Sequence, residues 1–285
     1  MNDPKFYDKE KPTWCPGCGD FGVLMALKKA ASELDLDPAN TVVVTGIGCS
    51  SKMNSYFYSY GLHGIHGRAL ALATGVKLAN PQLTVISTVG DGDGYAIGME
   101  HFIHTARRNV DITYIIMDNQ IYGLTKGQFS PTSNEGFVTN TSPFGNIEKP
   151  VNGPLLALAA GATYIARGFV GDLNALTQLI KGGIEHKGFA LIDIFSPCVT
   201  WNKINTYDWY KANTYDVKTI NHDFTNKQKA FEILANEQKF PLGLIYKDEN
   251  KKTFETVALK HPDMPMAQQK LKNPKEYDPL LDIFV

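Results

Sequence analysis

One stretch, residues 83–125, constrains the fold of this 285-residue chain more than any other. It contains an apolar run from Leu83 to Val89, the sequence GDGDG at 90–94, a segment with helical periodicity, and a second apolar run from Ile112 to Met117. This order predicts a strand, a loop, a helix and a second strand, which is the repeating unit of a parallel sheet. Anions bind where such strands end and helices begin, because free backbone N–H groups and the positive end of the helix lie there.

Two oxygen-bearing side chains follow the two predicted strands. Asp91 lies in the GDGDG sequence, and Asn119 follows the second apolar run. Carboxylate and amide oxygens are ligands that Mg²⁺ accepts alongside phosphate oxygens, so the pair predicts a diphosphate site. The spacing of GDG and Asn resembles the thiamine diphosphate motif, which implies Mg²⁺ ligands at Asp91, Asn119 and the backbone carbonyl of Ile121. The alternative is an ordinary strand-to-helix turn, for which GDG alone is a common sequence.

Composition and charge narrow the class of protein. A hydrophobic content of 43% and a charged content of 20% are typical of a soluble globular protein. The formal net charge of −1 provides no bulk positive field for nucleic acid or anionic membranes. The N-terminal residues lack the apolar core of a signal peptide, and no apolar run reaches the roughly 20 residues that a membrane span requires. We therefore expect a cytoplasmic protein that binds neither nucleic acid nor membrane.

Strand and helix patterns alternate from residue 41 to residue 197. This alternation predicts an α/β fold, with a mainly parallel sheet and helices on both of its faces. Residues 1–205 are expected to form the domain that carries the chemistry. Residues 206–285, rich in Lys, Asn and Pro, are expected to form a C-terminal extension with a helix near 226–239.

Three local expectations follow from the same patterns. The helix after GDGDG is expected to bury Ile97, Phe102, Ile103 and Ala106, which recur at roughly helical spacing. Residues 55–68, rich in Tyr, Gly and His, are expected to form a loop. Residues 126–149 are polar and too long for a simple connection, which predicts a functional loop.

The four cysteines are unevenly placed: Cys15 and Cys18 form C-P-G-C, whereas Cys49 and Cys198 each follow a predicted strand. A long chain of this kind does not use them as a disulfide framework, which belongs to small secreted domains. Because parallel strands end at one edge of the sheet, we expect all four thiols beside the diphosphate loop. Four thiolates predict a 4Fe-4S cluster. The alternatives are a zinc site and, for Cys49 and Cys198, small buried side chains without a ligand.

Six motifs occur in an order that resembles one family. They are WCPGCG, GIGCS, HGRALALATGVKLANP, GDGDGYAIG, NQIYGLTKGQ and SPC. Over roughly residues 10–205 they resemble the β subunit of archaeal-type 2-oxoacid:ferredoxin oxidoreductases. The resemblance implies a thiamine diphosphate enzyme that decarboxylates 2-oxoacids such as pyruvate and 2-oxoglutarate, transfers the acyl group to coenzyme A, and passes electrons singly through a 4Fe-4S cluster to ferredoxin.

The resemblance also implies roles for individual residues. The cluster ligands would be Cys15, Cys18, Cys49 and Cys198. The cofactor-binding residues would be Gly48, Ser50, Gly90, Asp91, Gly92, Asp93, Asn119, Ile121, Gly123, Leu124 and Thr125. Within that set, Asp91, Asn119 and the Ile121 carbonyl would hold Mg²⁺.

Three further side chains are candidates for a catalytic role. Lys126 lies in LTKGQ, where many 2-oxoglutarate enzymes of the family have LTGGQ, and a lysine there is suited to pair with a substrate carboxylate. This predicts a broad range of 2-oxoacids. His66 and Arg68 lie in H-G-R before a predicted helix, where they are expected to face the thiazolium or the substrate. The alternative in each case is an ordinary loop side chain.

The chain contains a single predicted α/β domain, whereas thiamine enzymes activate the aminopyrimidine with a glutamate from a second one. We therefore expect an α subunit, or α and γ subunits, to complete the active site in a heterodimer or larger assembly, and we expect this chain alone to be inactive. The alternatives are a subunit of an indolepyruvate oxidoreductase, a non-oxidative 2-oxoacid decarboxylase, or a zinc-stabilised binding module.

Overall fold

The computed structural model describes residues 3–236 and 238–269. Within them, an eight-stranded sheet has the order β2-β1-β3-β4-β6-β5-β8-β7. The strands are β1 Thr41–Thr45, β2 Tyr60–His63, β3 Thr84–Gly90, β4 Thr113–Asp118, β5 Tyr164–Phe169, β6 Ala190–Phe195, β7 Thr214–Asp216 and β8 Phe240–Lys247. The helices are α1 Asp20–Glu33, α2 Met53–Tyr56, α3 Ala69–Ala79, α4 Met99–Arg108, α5 Gly153–Ala160, α6 Leu173–Glu185, α7 Tyr207–Asn213, α8 Lys227–Ala235 and α9 Phe254–Ala258. The pairs among β1 to β6 are all parallel.

The sheet is covered on both faces, which is why its central strands are continuously apolar. Strands β4, β5 and β6 are buried at every residue. Along β4, Ile115 and Met117 pack into a core shared with α1 and α6. Tyr114 and Ile116 point the opposite way and pack with α3, α4 and α5. The predicted fold class, a mainly parallel sheet with helices on both faces, is thus confirmed.

The strand order brings the chemistry-bearing segments together. Strands β1, β3, β4 and β6 are consecutive in the sheet and parallel. Gly90 pairs with Met117, and Asp118 pairs with Phe195, so these strands end nearly level with one another. The residues that follow them therefore emerge side by side at one edge of the sheet.

Two local expectations are wrong. Residues 55–68 are not a loop throughout, because Tyr60–His63 form the edge strand β2, parallel to β1. All four of its residues are exposed, so this strand lacks the buried apolar pattern by which strands are recognised. Ile97 is 52% exposed rather than buried, because it lies in a π-helical turn, Asp93–Ile97, that precedes α4. Phe102 is fully buried, as expected.

The segment after residue 205 extends the same sheet. Strand β8 pairs antiparallel with β5, where Arg167 lies opposite Gly243, and β7 pairs parallel with β8. The helix expected near residues 226–239 corresponds to α8. In the part of the chain that the structure describes, no helix has both the length and the apolar character needed to cross a membrane.

Candidate active site

A cavity lies at the edge of the sheet where β1, β3 and β4 end. The segments that follow these strands, together with the start of α1 and the H-G-R turn, form its walls. The lining residues are Asp20, Ile47, Gly48, Cys49, Ser50, His66, Gly90, Asp91, Gly92, Asp93, Met117, Asn119, Ile121, Tyr122, Gly123, Leu124 and Thr125. Every residue that the sequence assigned to cofactor binding is among them, so the structure brings that whole set together.

Small residues let side chains close around this cavity. A Cβ at Gly46 would overlap the Asp93 carboxyl, and a Cβ at Gly92 would overlap the ring of Tyr122. The Ser50 hydroxyl is buried and has no hydrogen-bond partner. Because a buried hydroxyl without a partner is unfavourable, Ser50 is suited to donate a hydrogen bond to an anion in the cavity.

Two buried carboxyls share one hydroxyl group beside the cavity. The Thr132 hydroxyl oxygen lies 2.7 Å from Asp91 Oδ2 and 2.8 Å from Asp118 Oδ1. Burial raises the pKa of Asp91 to about 6, and it raises the pKa of Asp118 well above its usual range. Since a hydroxyl carries one hydrogen, one of the two contacts requires a protonated carboxyl. The same Asp118 oxygen also accepts a hydrogen bond from the Gln120 N–H at 3.1 Å, so this network joins the ends of β3 and β4.

One carboxyl oxygen of Asp93 is held by the protein, whereas the other, Oδ2, is buried and has no hydrogen-bond partner among the described residues. Its Oδ1 accepts hydrogen bonds from the backbone N–H of Gly67 at 2.8 Å and of Ile47 at 3.3 Å. His66 Nδ1 lies 2.8 Å from the same oxygen. Burial raises the pKa of Asp93, and these two N–H donors together with His66 oppose the increase. Through these hydrogen bonds Asp93 connects Ile47, in the segment after β1, to Gly67 in the H-G-R turn.

The segment after β4 forms a tight turn that presents Asn119 and Ile121. The Asn119 side-chain oxygen accepts a hydrogen bond from the Ile121 N–H at 3.1 Å, which fixes its orientation. Gln120, between them, has a φ of +56°, in the left-handed region that few non-glycine residues adopt. Both ends of this turn line the cavity.

The four cysteines lie together in a second cavity next to the first. Its lining residues are Thr13, Trp14, Cys15, Cys18, Cys49, Lys52, Asn119, Gly123, Leu124, Lys126, Cys198, Val199, Thr200 and Trp201. The cysteines form no disulfide with one another. The two cavities share a wall, which lies between the thiols and the GDGDG segment at 90–94. The residues that line both cavities are Cys49, Asn119, Gly123 and Leu124.

The electrostatics of the thiols favour a positively charged group between them. Burial, followed by the nearby Asp20 carboxyl, raises the pKa of Cys49 to about 12 and also raises the pKa of Cys18. Thiolates at these positions therefore need compensating positive charge. No three Cys, His, Asp or Glu side chains in the described ranges are close enough to share one metal ion.

The three candidate catalytic residues occupy different places. His66 lines the first cavity, beside the GDGDG segment. Arg68 instead donates a hydrogen bond to the Ile97 carbonyl at 3.2 Å, and its side chain lies along the π-helical turn. Lys126 is exposed, has a φ of +77°, and lines the cavity of the cysteines rather than that of the diphosphate loop.

Sequence reasoning did not single out Asp20, Tyr122 or Thr132. Asp20 directly follows C-P-G-C-G, and its place in that motif was an available signal. The Tyr122 hydroxyl donates a hydrogen bond to the Gly92 carbonyl at 3.1 Å, which ties the two loops together. Thr132 carried no signal, because its contact with Asp91 joins residues 41 positions apart.

Comparison with known families defines the class of this protein. Residues 17–194 match the family model described as "Thiamine pyrophosphate enzyme, C-terminal TPP binding domain". Residues 198–261 match the model for the C-terminal part of the pyruvate ferredoxin oxidoreductase beta subunit. The sheet is therefore that of a thiamine diphosphate-binding domain, as the sequence predicted.

Individual relatives define the family more narrowly. The chain is 44% identical over 272 residues to 2-oxoacid:ferredoxin oxidoreductase 1, subunit beta, of Aeropyrum pernix, covering 90% of this chain and 86% of that protein. It is 40% identical over 279 residues to the 2-oxoacid:ferredoxin oxidoreductase subunit beta of Saccharolobus solfataricus, covering 93% and 90%. The chain belongs to the family of 2-oxoacid:ferredoxin oxidoreductase β subunits and is an oxidoreductase subunit. The resemblance read from its motifs is confirmed, and the alternative enzymes find no support.

A solved structure shares almost the whole fold. The 2-oxoglutarate:ferredoxin oxidoreductase from Magnetococcus marinus superposes with a TM-score of 0.91 at 42% identity, covering 98% of this chain and 96% of that chain. That structure was determined with 2-oxoglutarate, coenzyme A and succinyl-CoA bound. The common fold therefore occurs in an enzyme that handles a 2-oxoacid and an acyl-CoA.

Proposed function

We propose that this chain is the catalytic β subunit of an enzyme that converts 2-oxoacids and coenzyme A to acyl-CoA and CO₂, with electrons leaving through a 4Fe-4S cluster to ferredoxin. The observation that carries the proposal is the wall shared by the diphosphate cavity and the four-cysteine cavity. An electron carrier in the second cavity would lie beside the reacting group in the first. Such an arrangement suits oxidation, whereas a non-oxidative decarboxylase has no use for it.

Mg²⁺ would be held by Asp91, Asn119 and the Ile121 carbonyl. These are hard oxygen donors at adjacent strand ends, and the partly buried Asn119 side chain is already oriented by its own turn. The Ser50 hydroxyl and the glycine-rich segment at 90–94 would bind the diphosphate oxygens. Thiamine diphosphate, once bound, supplies the electron sink for decarboxylation, and this chain's residues bind and orient it.

Cys15, Cys18, Cys49 and Cys198 would hold the cluster. Iron–sulfur clusters are bound by thiolates, and the positive charge of the iron would offset the unfavourable burial of these thiols. The alternative of zinc requires a closer set of ligands than the described residues contain.

The active site would be completed by a partner polypeptide, an α subunit or α and γ subunits. The support is the designation of the relatives as subunits beta, together with the single α/β domain of this chain. The 2-oxoacid and coenzyme A bound to the Magnetococcus marinus enzyme indicate the class of substrates that would enter between the subunits.

Lys126 would pair with a substrate carboxylate, and His66 would contact the cofactor or the substrate. Arg68 would face the cofactor or the substrate from its place beside the π-helical turn, where it donates a hydrogen bond to Ile97.

The test of Lys126 is its replacement by alanine in the assembled enzyme, with kcat and KM measured for pyruvate and 2-oxoglutarate. We expect a higher KM for at least one of them. Unchanged constants for both would remove Lys126 from the substrate site.

The proposed function as a whole is tested on the complex purified anaerobically with its partner subunits. We expect iron and acid-labile sulfide near four per chain, and a broad visible absorbance that is bleached by a 2-oxoacid together with coenzyme A. Cys198→Ser should remove most of this iron, whereas Ser59→Ala, at a half-buried position that lines neither cavity, should not. A colourless complex containing zinc would overturn the redox mechanism.

A further inference from the structure

Residues 130–133, part of the segment expected as a polar functional loop, are buried against the proposed metal site. Ser130, Thr132 and Ser133 are each no more than 3% exposed. Buried polar side chains require hydrogen-bond partners. Here the partners outside the segment are Asp91, a proposed magnesium ligand, and Asp118 and Gln120, which flank the proposed ligand Asn119. This short segment is therefore packed directly against the site.

The Thr132 hydroxyl is one of the groups that hold the carboxyl of Asp91, together with the Ser130 side chain and the Gly92 backbone. The Thr132 hydroxyl lies 2.7 Å from Asp91 Oδ2 and is fixed from its other side by Asp118 Oδ1 at 2.8 Å. Asp91 is only 2% exposed, so solvent does not compete for this oxygen. The Thr132 hydroxyl therefore fixes the position of Asp91 Oδ2 and contributes to the orientation of the carboxyl beside the cavity.

A second pair of contacts holds the opposite side of the site. The Ser133 hydroxyl donates a hydrogen bond to the Gln120 carbonyl at 2.6 Å, and the Gln120 side-chain amide donates to the Thr132 carbonyl at 2.8 Å. Gln120 is the positive-φ residue between Asn119 and Ile121. The same four-residue segment thus supports both strand ends that supply the proposed ligands.

We propose that Thr132 is a positioning residue of the magnesium site, which it serves by orienting the Asp91 carboxyl toward the metal. This inference rests on the proposed function, since it presupposes Mg²⁺ and thiamine diphosphate in the first cavity. Groups that hydrogen-bond to metal ligands fix the geometry of those ligands, and their loss typically weakens metal binding about 10- to 100-fold.

The experiment measures Mg²⁺ binding by titration calorimetry at saturating thiamine diphosphate, on the assembled complex after removal of its metal with a chelator. Thr132→Val removes the hydroxyl and keeps the shape, whereas Thr132→Ser keeps the hydroxyl. Thr139→Val is the matched control, because Thr139 also lies within residues 126–149 and, among the described residues, its hydroxyl hydrogen-bonds within its own turn, to Thr141 and Ser142. Asp91→Asn tests the ligand itself.

We expect Thr132→Val to weaken Mg²⁺ binding about tenfold or more, with Thr132→Ser and Thr139→Val within about twofold of the unmodified complex. Raising the Mg²⁺ concentration should restore cofactor binding to Thr132→Val, which a general loss of structure would not allow. Should the valine variant fail to fold, Thr132→Ala carries the same expectation.

Two results would overturn the inference, and they are distinguishable. If Thr132→Val and Thr132→Ala bind Mg²⁺ as tightly as Thr139→Val while Asp91→Asn binds weakly, the metal site stands and Thr132 has no part in it. If Asp91→Asn also binds normally, or thiamine diphosphate binds without any metal, the proposed magnesium site itself fails and the inference fails with it.

Discussion

Gly123 lies directly against Cys198, with a Cβ position only 3.4 Å from the Cys198 sulfur and 3.9 Å from that of Cys49. Gly123 belongs to the wall between the two cavities, on the side where both sulfurs are found. The size of the side chain at position 123 therefore determines how much space is left beside these two sulfurs. A methyl group there makes ordinary van der Waals contact, whereas a branched side chain would extend across both sulfurs.

Gly123→Val is expected to reduce the iron and sulfide content of the complex by at least half. Gly123→Ala should retain most of it, because the added Cβ fits at contact distance. Gly75→Val is the matched control, since a Cβ at Gly75, on the exposed face of α3, meets nothing within 4 Å. A full complement of iron in Gly123→Val would show that no cluster occupies the space beside Cys49 and Cys198.

Ser50→Ala is expected to weaken thiamine diphosphate binding about tenfold, because a hydrogen bond to a charged group contributes roughly 1.5–3 kcal/mol. The cofactor-free protein should be no less stable, since this buried hydroxyl has no partner to lose. Ser87→Ala is the control. Ser87 also has a buried hydroxyl without a partner, but it lies within β3 and does not line the cavity. Equal cofactor affinities in both variants would exclude Ser50 from the diphosphate site.

The sequence was most informative where local pattern and tertiary burial agree. Strand β1 has the bounds Thr41–Thr45 that its apolar residues predict, because a parallel strand buried on both faces is apolar throughout. Asp172, a residue type that favours helix N-caps, caps α6 and accepts a hydrogen bond from the Ala175 N–H at 3.0 Å. Strand β2 was missed since its exposed residues carry no such pattern.

The site was predictable to the extent that strand ends identify it. Asp91, Asn119 and Cys198 each follow a buried strand, and parallel topology alone brings them to one edge. Thr132 was not predictable, because its position depends on how residues 126–149 fold back over that edge. The orientation of Arg68 likewise carries no local signal, since its side chain hydrogen-bonds to the carbonyl of Ile97 in a π-helical turn.

Arg167→Met is expected to destabilise the protein by about 3–5 kcal/mol, since it leaves a buried charge unpaired. The Arg167 guanidinium lies 2.8 Å from Asp193, and both side chains are almost fully buried. Urea unfolding measures the loss. Arg167→Met combined with Asp193→Leu should recover much of it, because no unpaired charge then remains. Lys211→Met is the control, because it removes an exposed ion pair with Asp208 and should change stability by less than about 1 kcal/mol. If Lys211→Met lost as much stability as Arg167→Met, burial would not determine the cost of breaking an ion pair.

His186→Gln is expected to make the protein less sensitive to acid. The ring of His186 is 5% exposed, and its Nε2 lies 2.7 Å from the Thr163 hydroxyl, which donates its own hydrogen to Asn109. Burial, helped by the nearby Lys247 ammonium, lowers the pKa of His186 to about 4. The unfolded chain therefore binds a proton that the folded protein excludes, and stability falls by up to about 1.4 kcal/mol per pH unit as the pH drops from about 6.5 toward 4.

Urea unfolding between pH 7 and 4.5 measures this effect. The free energy of unfolding should decline less steeply for His186→Gln than for the unmodified chain. His104→Gln, at an exposed site, is the control and should leave the decline unchanged. Parallel declines for all three proteins would mean that His186 takes up its proton in the folded state.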